Sequence, residues 1–369
     1  MKRNRIISYL FLFSIATFLL ASCSQQPKGT ASETTQPKDT TPSLLYAGER
    51  HLSNMRQLTF SGDNAEAYFS NDGKKIVFQA RNKADGRYCD QIYWASLDDF
   101  KPTRISNGTG RTTCAYFLPG DSLILYASTH LADTSCSADP PRKKGDPYIW
   151  HIYSGFDIFI SDLNGNIKKR LTSTPGYDAE ATVSPKGDKI VFTSVRSGDL
   201  ELYTMNLDGS GVKQITHELG YDGGAFFSPD GNQLIFRASR PKTKEDIDTY
   251  RKLLKEEKVM PTQMEIFICN ADGSNMKQLT TLGNANWAPF FHAEGKKIIF
   301  SSNHTAEHGI PFNLYTINMD GSGLEQITHD TFFDAFPVFS PDGKRLIFSS
   351  GRNAKNPHDT NLFIADWND

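Results

Sequence analysis

The chain has 369 residues, 40 Lys plus Arg against 42 Asp plus Glu, and a formal charge of −2. That near-balance argues against a general nucleic-acid binder, which carries a strong basic excess. A hydrophobic content of 38%, with 25 Phe and 14 Tyr, is enough to bury a large core, and five cysteines are too few for a disulfide scaffold of this size.

Lys2, Arg3 and Arg5 precede an apolar run of 16 residues from Ile6 to Ala21, short of the roughly 20 needed to cross a bilayer. Leu20-Ala21-Ser22-Cys23 follows. A basic start, a short apolar stretch and small residues at the cut read as an export signal over residues 1–22. The tetrapeptide resembles the lipobox of bacterial lipoproteins, which implies a lipid on Cys23. Loss of residues 1–22 leaves 37 basic against 42 acidic residues, a charge of −5. Residues 23–45 are rich in Ser, Thr, Gln and Pro, bury too little to offset their ordering entropy, and read as a flexible leash. The expected location is the cell envelope, lipid-anchored on the periplasmic or outer-membrane side.

From residue 46 onward a repeat governs the chain. A segment ending in Leu/Ile-Thr/Ser occurs at Arg56–Thr59, Thr103–Ser106, Lys169–Thr172, Lys213–Thr216, Lys277–Thr280 and Glu325–Thr328, at intervals of 47, 66, 44, 64 and 48 residues. A period of roughly 40–50 residues with short strands is the signature of a β-propeller. The third unit shows its strands plainly: Ala179–Ser184, a turn at Pro185-Lys186-Gly187, Lys189–Ser194, Glu201–Met205, a turn at Asp208-Gly209, and Gln214–Thr216. Proline sets φ on entry to such a bend and glycine supplies the positive φ. The last unit has only three strands before Asp369, and the motif at Thr59 has none before it. Residues around 51–58 are therefore predicted to complete the C-terminal blade. The predicted fold is all-β, a six-bladed propeller over residues 46–369 closed by its N-terminal strand, with a short helical insertion.

The run Phe-Ser-Pro-Asp-Gly-Lys, then Leu/Ile-Ile-Phe-Ser-Ser, Leu-Tyr/Phe, Asp-Gly-Ser and Gln-Ile-Thr resembles the WD-like propeller repeats of TolB-type periplasmic proteins. Its clearest copies are Phe339–Ser350, Phe227–Phe236 and Asn206–Thr216, and the resemblance covers roughly residues 50–366. It is to the propeller part only, since residues 24–45 cannot form the α/β domain that precedes the propeller in TolB. Related propellers form the gating domains of prolyl-oligopeptidase-type peptidases and the body of oligogalacturonate lyases, so fold alone does not choose a function.

Two insertions, at about 129–155 and 239–263, fall between second and third strands and decorate one face. In the second, Thr243 is placed to cap a helix with Ile247, Tyr250 and Leu254 on one side. Aligned units expose two columns on that face. Asn64, Thr112, Asp178, Asp222, Asn286 and Asp334 open the first strands. Asn82, His130, Arg196, Arg240, His304 and Arg352 follow the second. Recurrence in every blade favours bracing by charge-assisted hydrogen bonds, although the same ring offers a grip for carboxylates or sugar hydroxyls. Residues that depart from the repeat are the better ligand candidates: Tyr177, Glu180, Tyr221, Trp287, His304, His308, Phe332 and Phe333.

No G-x-S-x-G elbow, phosphate loop or paired zinc cysteines occur, and no metal or cofactor is expected. Cys114–Cys136 is the preferred disulfide, since it would pin the first insertion within blade two; Cys89 is the alternative partner, and Cys269 reads as a buried hydrophobe. The expected function is non-catalytic binding of an envelope protein or of a carbohydrate or peptide ligand on the insertion-bearing face. The alternative is a propeller enzyme of lyase or hydrolase type, with a His/carboxylate site near the pore. No nucleic-acid partner is expected.

Overall fold

A computed structural model describes residues 43–136, 147–307 and 309–369. The export-type segment, Cys23, most of the expected leash, residues 137–146 of the first insertion and His308 lie outside the described residues.

Six four-stranded antiparallel sheets surround a central axis as the blades of a propeller. Their innermost strands are Asp63–Phe69, Thr112–Phe117, Asp178–Val183, Asp222–Phe227, Asn286–Phe291 and Asp334–Phe339, which open blades one to six. Second strands such as Lys189–Ser194 are apolar on both faces because neighbouring sheets cover them. Their aromatics Phe78, Tyr126, Phe192, Phe236, Phe300 and Phe348 are all at most 2% exposed. The Ser-Pro-Asp-Gly turn has a local cause: Ser340 Oγ donates to Asp342 Oδ1 (2.5 Å) and accepts from Arg345 N (3.0 Å), while Gly343 sits at φ 70°.

The recurrent Leu/Ile-Thr/Ser ending also has a structural job. In each blade its hydroxyl accepts the N–H of a third-strand residue, as in Leu202 N to Thr216 Oγ1 (2.8 Å) and Leu314 N to Thr328 Oγ1 (2.9 Å). The ring closes with the same bond. Leu52–Gln57 pairs antiparallel with Asn361–Trp367, from Leu52 opposite Trp367 to Gln57 opposite Phe363. Thr59 Oγ1 then accepts from Leu362 N at 2.9 Å. Packing begins ahead of residue 46: Leu44 and Leu45 lie against the last blade's core, and the Leu44 carbonyl accepts from Arg352 Nη1 (3.1 Å).

The insertions leave blade two after Ser128 and blade four after Ala238. The second carries helix α1, Lys244–Lys255, whose Thr243 and Asp246 form a reciprocal capping box. Tyr250 is the buried residue of its apolar face, and its hydroxyl bonds Asp199 of blade three. The two insertions pair with each other, Trp150 opposite Val259 and His151 opposite Lys258.

The preferred disulfide is corrected. Cys136 bonds Cys89, so the first insertion is stapled across to blade one and not within blade two. Cys114 is free; it stands at φ 48° in a first-strand bulge and lines the axial cavity. Cys269 is free and buried.

Thr59→Val and Thr328→Val remove equivalent caps, one at the closure and one inside blade five. Each is expected to lower the free energy of unfolding by about 1–2 kcal/mol. A measurable loss at Thr328 with none at Thr59 would show that the closing segment stands outside the cooperative unit.

Candidate functional site

Every first strand breaks register two or three residues after its start, and the bulged residue takes a positive φ: Glu66 (52°), Cys114 (48°), Glu180 (56°), Gly224 (59°), Ala288 (49°) and Phe336 (56°). The bulge re-aims each side chain toward the axis. Neighbouring blades hold these strained amides: Cys114 N donates to Gln79 Oε1 (3.0 Å), Gly224 N to Glu180 Oε2 (2.9 Å) and Phe336 N to Ser301 Oγ (3.1 Å). All six positions line a cavity of about 1150 Å³. Tyr68, Tyr116, Phe226 and Phe290 pack ring to ring, with centroids 5.0–6.4 Å apart, and Tyr68 and Phe226 of this cluster line the cavity.

The upper wall comes from the insertions. Tyr148 and Trp150 stand against Trp287, with centroids at 6.1 and 5.1 Å. Trp287 Nε1 donates to the Pro261 carbonyl of the second insertion at 2.8 Å. Phe312 and Phe333 continue the aromatic surface.

Glycine at 224 is required by an approach from behind. A Cβ there would lie 1.8 Å from Arg237 Nη1, so the guanidinium of the adjacent strand occupies the place of the missing side chain. Arg237 Nη2 donates to Glu180 Oε1 (2.5 Å) and to Tyr221 OH (2.7 Å). Glu180 also accepts from Tyr221 OH (2.6 Å) and Thr193 Oγ1 (2.7 Å). Burial opposes its ionisation, but Arg237 and these donors overcome that and hold the carboxyl below its usual range. Glu66 has no such support. Burial first, then Glu180 and Asp90, push it up to about 7, against a hydrogen bond from Cys114 and the charge of Arg237. Burial and the same two glutamates raise the Cys114 thiol.

The sequence-predicted residues divide into two sets. Tyr177, Glu180, Tyr221, Trp287 and Phe333 come together in the funnel wall. The repeated columns pair among themselves: Arg196 bonds both oxygens of Asp178 (2.9 Å each), Arg240 Nη2 bonds Asp222 Oδ2 (3.0 Å), and Arg352 Nη2 bonds Asp334 Oδ2 (2.8 Å). Where the first-strand partner is Thr112 or Asn286, a histidine replaces the arginine. His130 Nδ1 then meets Ser128 Oγ (2.8 Å) and His304 Nδ1 meets Ser302 Oγ (2.9 Å). Burial lowers both imidazoles. Phe332 is exposed at the rim. Among the described residues no three His, Cys, Asp or Glu side chains are grouped to hold a metal ion.

Sequence reasoning missed Glu66, the place of Cys114 and Arg237. One signal was present. At the fifth position of the second strand stand Gln79, Ala127, Thr193, Arg237, Ser301 and Ser349, and only Arg237 is charged.

The fold and the funnel together define a six-bladed propeller with a recess at its insertion-bearing mouth. Residues 152–262 match the TolB beta propeller domain family (PD40). Similar solved structures include a putative TolB from Agrobacterium tumefaciens, at 19% identity and TM-score 0.54, covering 84% of this chain and 91% of that one. TolB from Acinetobacter baumannii is similar at 20% identity and TM-score 0.56, covering 80% of this chain and 64% of that one. The architecture is thus that of a TolB-like propeller. An oligogalacturonate lyase in complex with manganese aligns at 16% identity over 85% of this chain and 93% of its own, with a TM-score of 0.49, too loose to bear on chemistry.

Glu66 keeps its proton to about pH 7 in the fold and loses it near 4.5 when unfolded, so its ionisation costs stability as pH rises between these values. Glu66→Gln is expected to stabilise the protein by about 2 kcal/mol at pH 8, the full shift being reduced by solvent in the funnel, and to change nothing at pH 4. Denaturant unfolding at both pH values checks this; an equal effect at both contradicts it.

Proposed function

We propose that this protein is a non-catalytic, membrane-tethered binding propeller of the cell envelope, which takes a carbohydrate or peptide ligand, or a segment of an envelope protein, into its funnel. The observation that carries the reading is the recess itself, walled by Tyr148 and Trp150 of the first insertion, by Leu253 and Lys258 of the second and by Trp287, with Tyr68 and Phe226 at its base. A concave site that combines aromatic walls with charged and polar groups suits capture of a ligand that has both an apolar and a polar part. A rigid ring beneath paired insertions also supplies preorganised walls. The export-type N-terminus, its lipobox resemblance and the TolB-like propeller support the envelope location.

One observation favours a second, catalytic reading. Glu66 retains a proton near neutrality beside the Cys114 thiol, an arrangement that suits a general acid. Turnover of a captured ligand that disappears in Glu66→Gln would establish it.

Trp287 is 4% exposed and anchors the second insertion, so its removal disturbs folding. Tyr148, 38% exposed, is the cleaner probe. Ligands found by screening oligosaccharides and peptides against the protein are expected to bind Tyr148→Ala at least tenfold more weakly, about 1.4 kcal/mol, with Tm unchanged. Equal affinity for the variant contradicts the funnel as the site. Metabolic labelling with a palmitate analogue is expected to mark the protein in a bacterial host and to fail in Cys23→Ser; labelling of that variant would remove Cys23 as the anchor.

A further inference from the structure

The six bulge positions form a ring with two unlike halves. Glu66, Cys114, Glu180 and the Arg237 guanidinium occupy one arc, and Ala288 and Phe336 the other. We propose that the polar arc is a proton-linked carboxylate site, in which a carboxylate carried on a flat apolar ligand accepts hydrogen bonds from Arg237 and Glu66 while its apolar part lies against Phe336. This deepens, and rests on, the reading of the funnel as a ligand site.

Arg237 carries the inference. The residue is only 6% exposed, yet its Nε has no hydrogen-bond partner. Its Nη1 stands in the space that Gly224 leaves open, while Nη2 is engaged by Glu180 and Tyr221. Nε is sealed from the funnel, so Nη1 is the donor that a ligand would meet, and a carboxylate is a strong charge-assisted acceptor for it. Glu180 does not meet that need, because its two oxygens already accept from Arg237, Tyr221, Thr193 and the Gly224 amide.

The charge of the funnel points the same way. Five Lys and Arg side chains line it against four Asp and Glu, whereas the whole chain carries −2. Lys83, Arg111 and Lys258 lie between core strands of the blades and line the funnel, where they favour entry of an anion.

Glu66 makes the site sensitive to protons. It is faced by Cys114 from blade two, Glu180 from blade three, Arg237 from blade four, and Asp90 and Tyr68 from its own blade. As a carboxylate it repels the ligand's charge. As an acid it donates to it, so the ligand binds together with one proton.

The test titrates the protein with phenylacetate, phenylacetamide and phenethylamine by calorimetry or saturation-transfer NMR between pH 6 and 9. Phenylacetate is expected to bind best, and to weaken by about tenfold for each pH unit above 7. Glu66→Gln, whose amide also donates, is expected to bind it without that slope. Gly224→Ala is expected to weaken it at least tenfold at every pH, because the new Cβ displaces Arg237; Ala288, at φ 49° in the equivalent place, shows that alanine is accommodated there. Affinity that rises with pH, preference for phenethylamine, or a phenylacetate slope that survives in Glu66→Gln overturns the proposal. Equal binding of acid and amide overturns it while leaving the funnel reading intact. Failure of all three probes overturns it and counts against the funnel as well.

Discussion

Closure of the ring by residues 52–57 is the constraint on which the rest of the structure depends. A propeller blade cannot bury both faces alone, and an open ring exposes the edge of the last sheet. Here the closing strand is held by its ladder, by the Thr59 cap, and by a buried charge cluster behind it. Glu49 Oε1 and Oε2 each accept from Arg352 at 3.0 Å, and Arg352 also bonds Asp334 at the start of the innermost strand. The chain entering the propeller is thereby tied to the blade that ends it. Burial raises Asp334 to about 6 in spite of Arg352, so the cluster has a desolvation cost that only the full set of partners offsets.

A closed ring gives its axis a fixed width, and the bulges exploit it. Five side chains and the gap at Gly224 face a shared space, where packing between neighbouring blades does not impose one residue type. The scaffold therefore repeats while the funnel varies. Blade four departs furthest: glycine at 223 and 224 admits the Tyr221 ring and the Arg237 guanidinium from the same sheet to the axis. The insertions of blades two and four then meet over the mouth, and the Cys89–Cys136 bridge ties the first of them to blade one.

The architecture was legible in the sequence because it is written in repeated local rules. Turn residues, the hydroxyl that ends each unit and the apolar second strands recur at fixed spacing, and the missing strand of the last unit points to the closure. Thr243 marked the helix start equally well. The centre of the site was not legible for a physical reason. A bulge adds one residue and a positive φ, which exchanges the faces of a strand. Alternation therefore gives the wrong side for Glu66 and Cys114, while the expected Cys114–Cys136 bridge rested on shared membership of blade two and the actual bridge crosses to blade one. Tyr177, Tyr221 and Trp287 were found because they deviate at positions just outside the bulge. Arg237 stood out only as a charge in an uncharged column.

Hydrogen exchange followed by mass spectrometry tests the closure most directly. The account predicts that the amides of 52–57 that bond to 361–367, and those of 361–367, exchange as slowly as those of the second strand 297–302, all through one global opening. Rapid exchange of those bonded amides of 52–57 while 297–302 stays protected would contradict it, and the geometry of the funnel would lose its foundation.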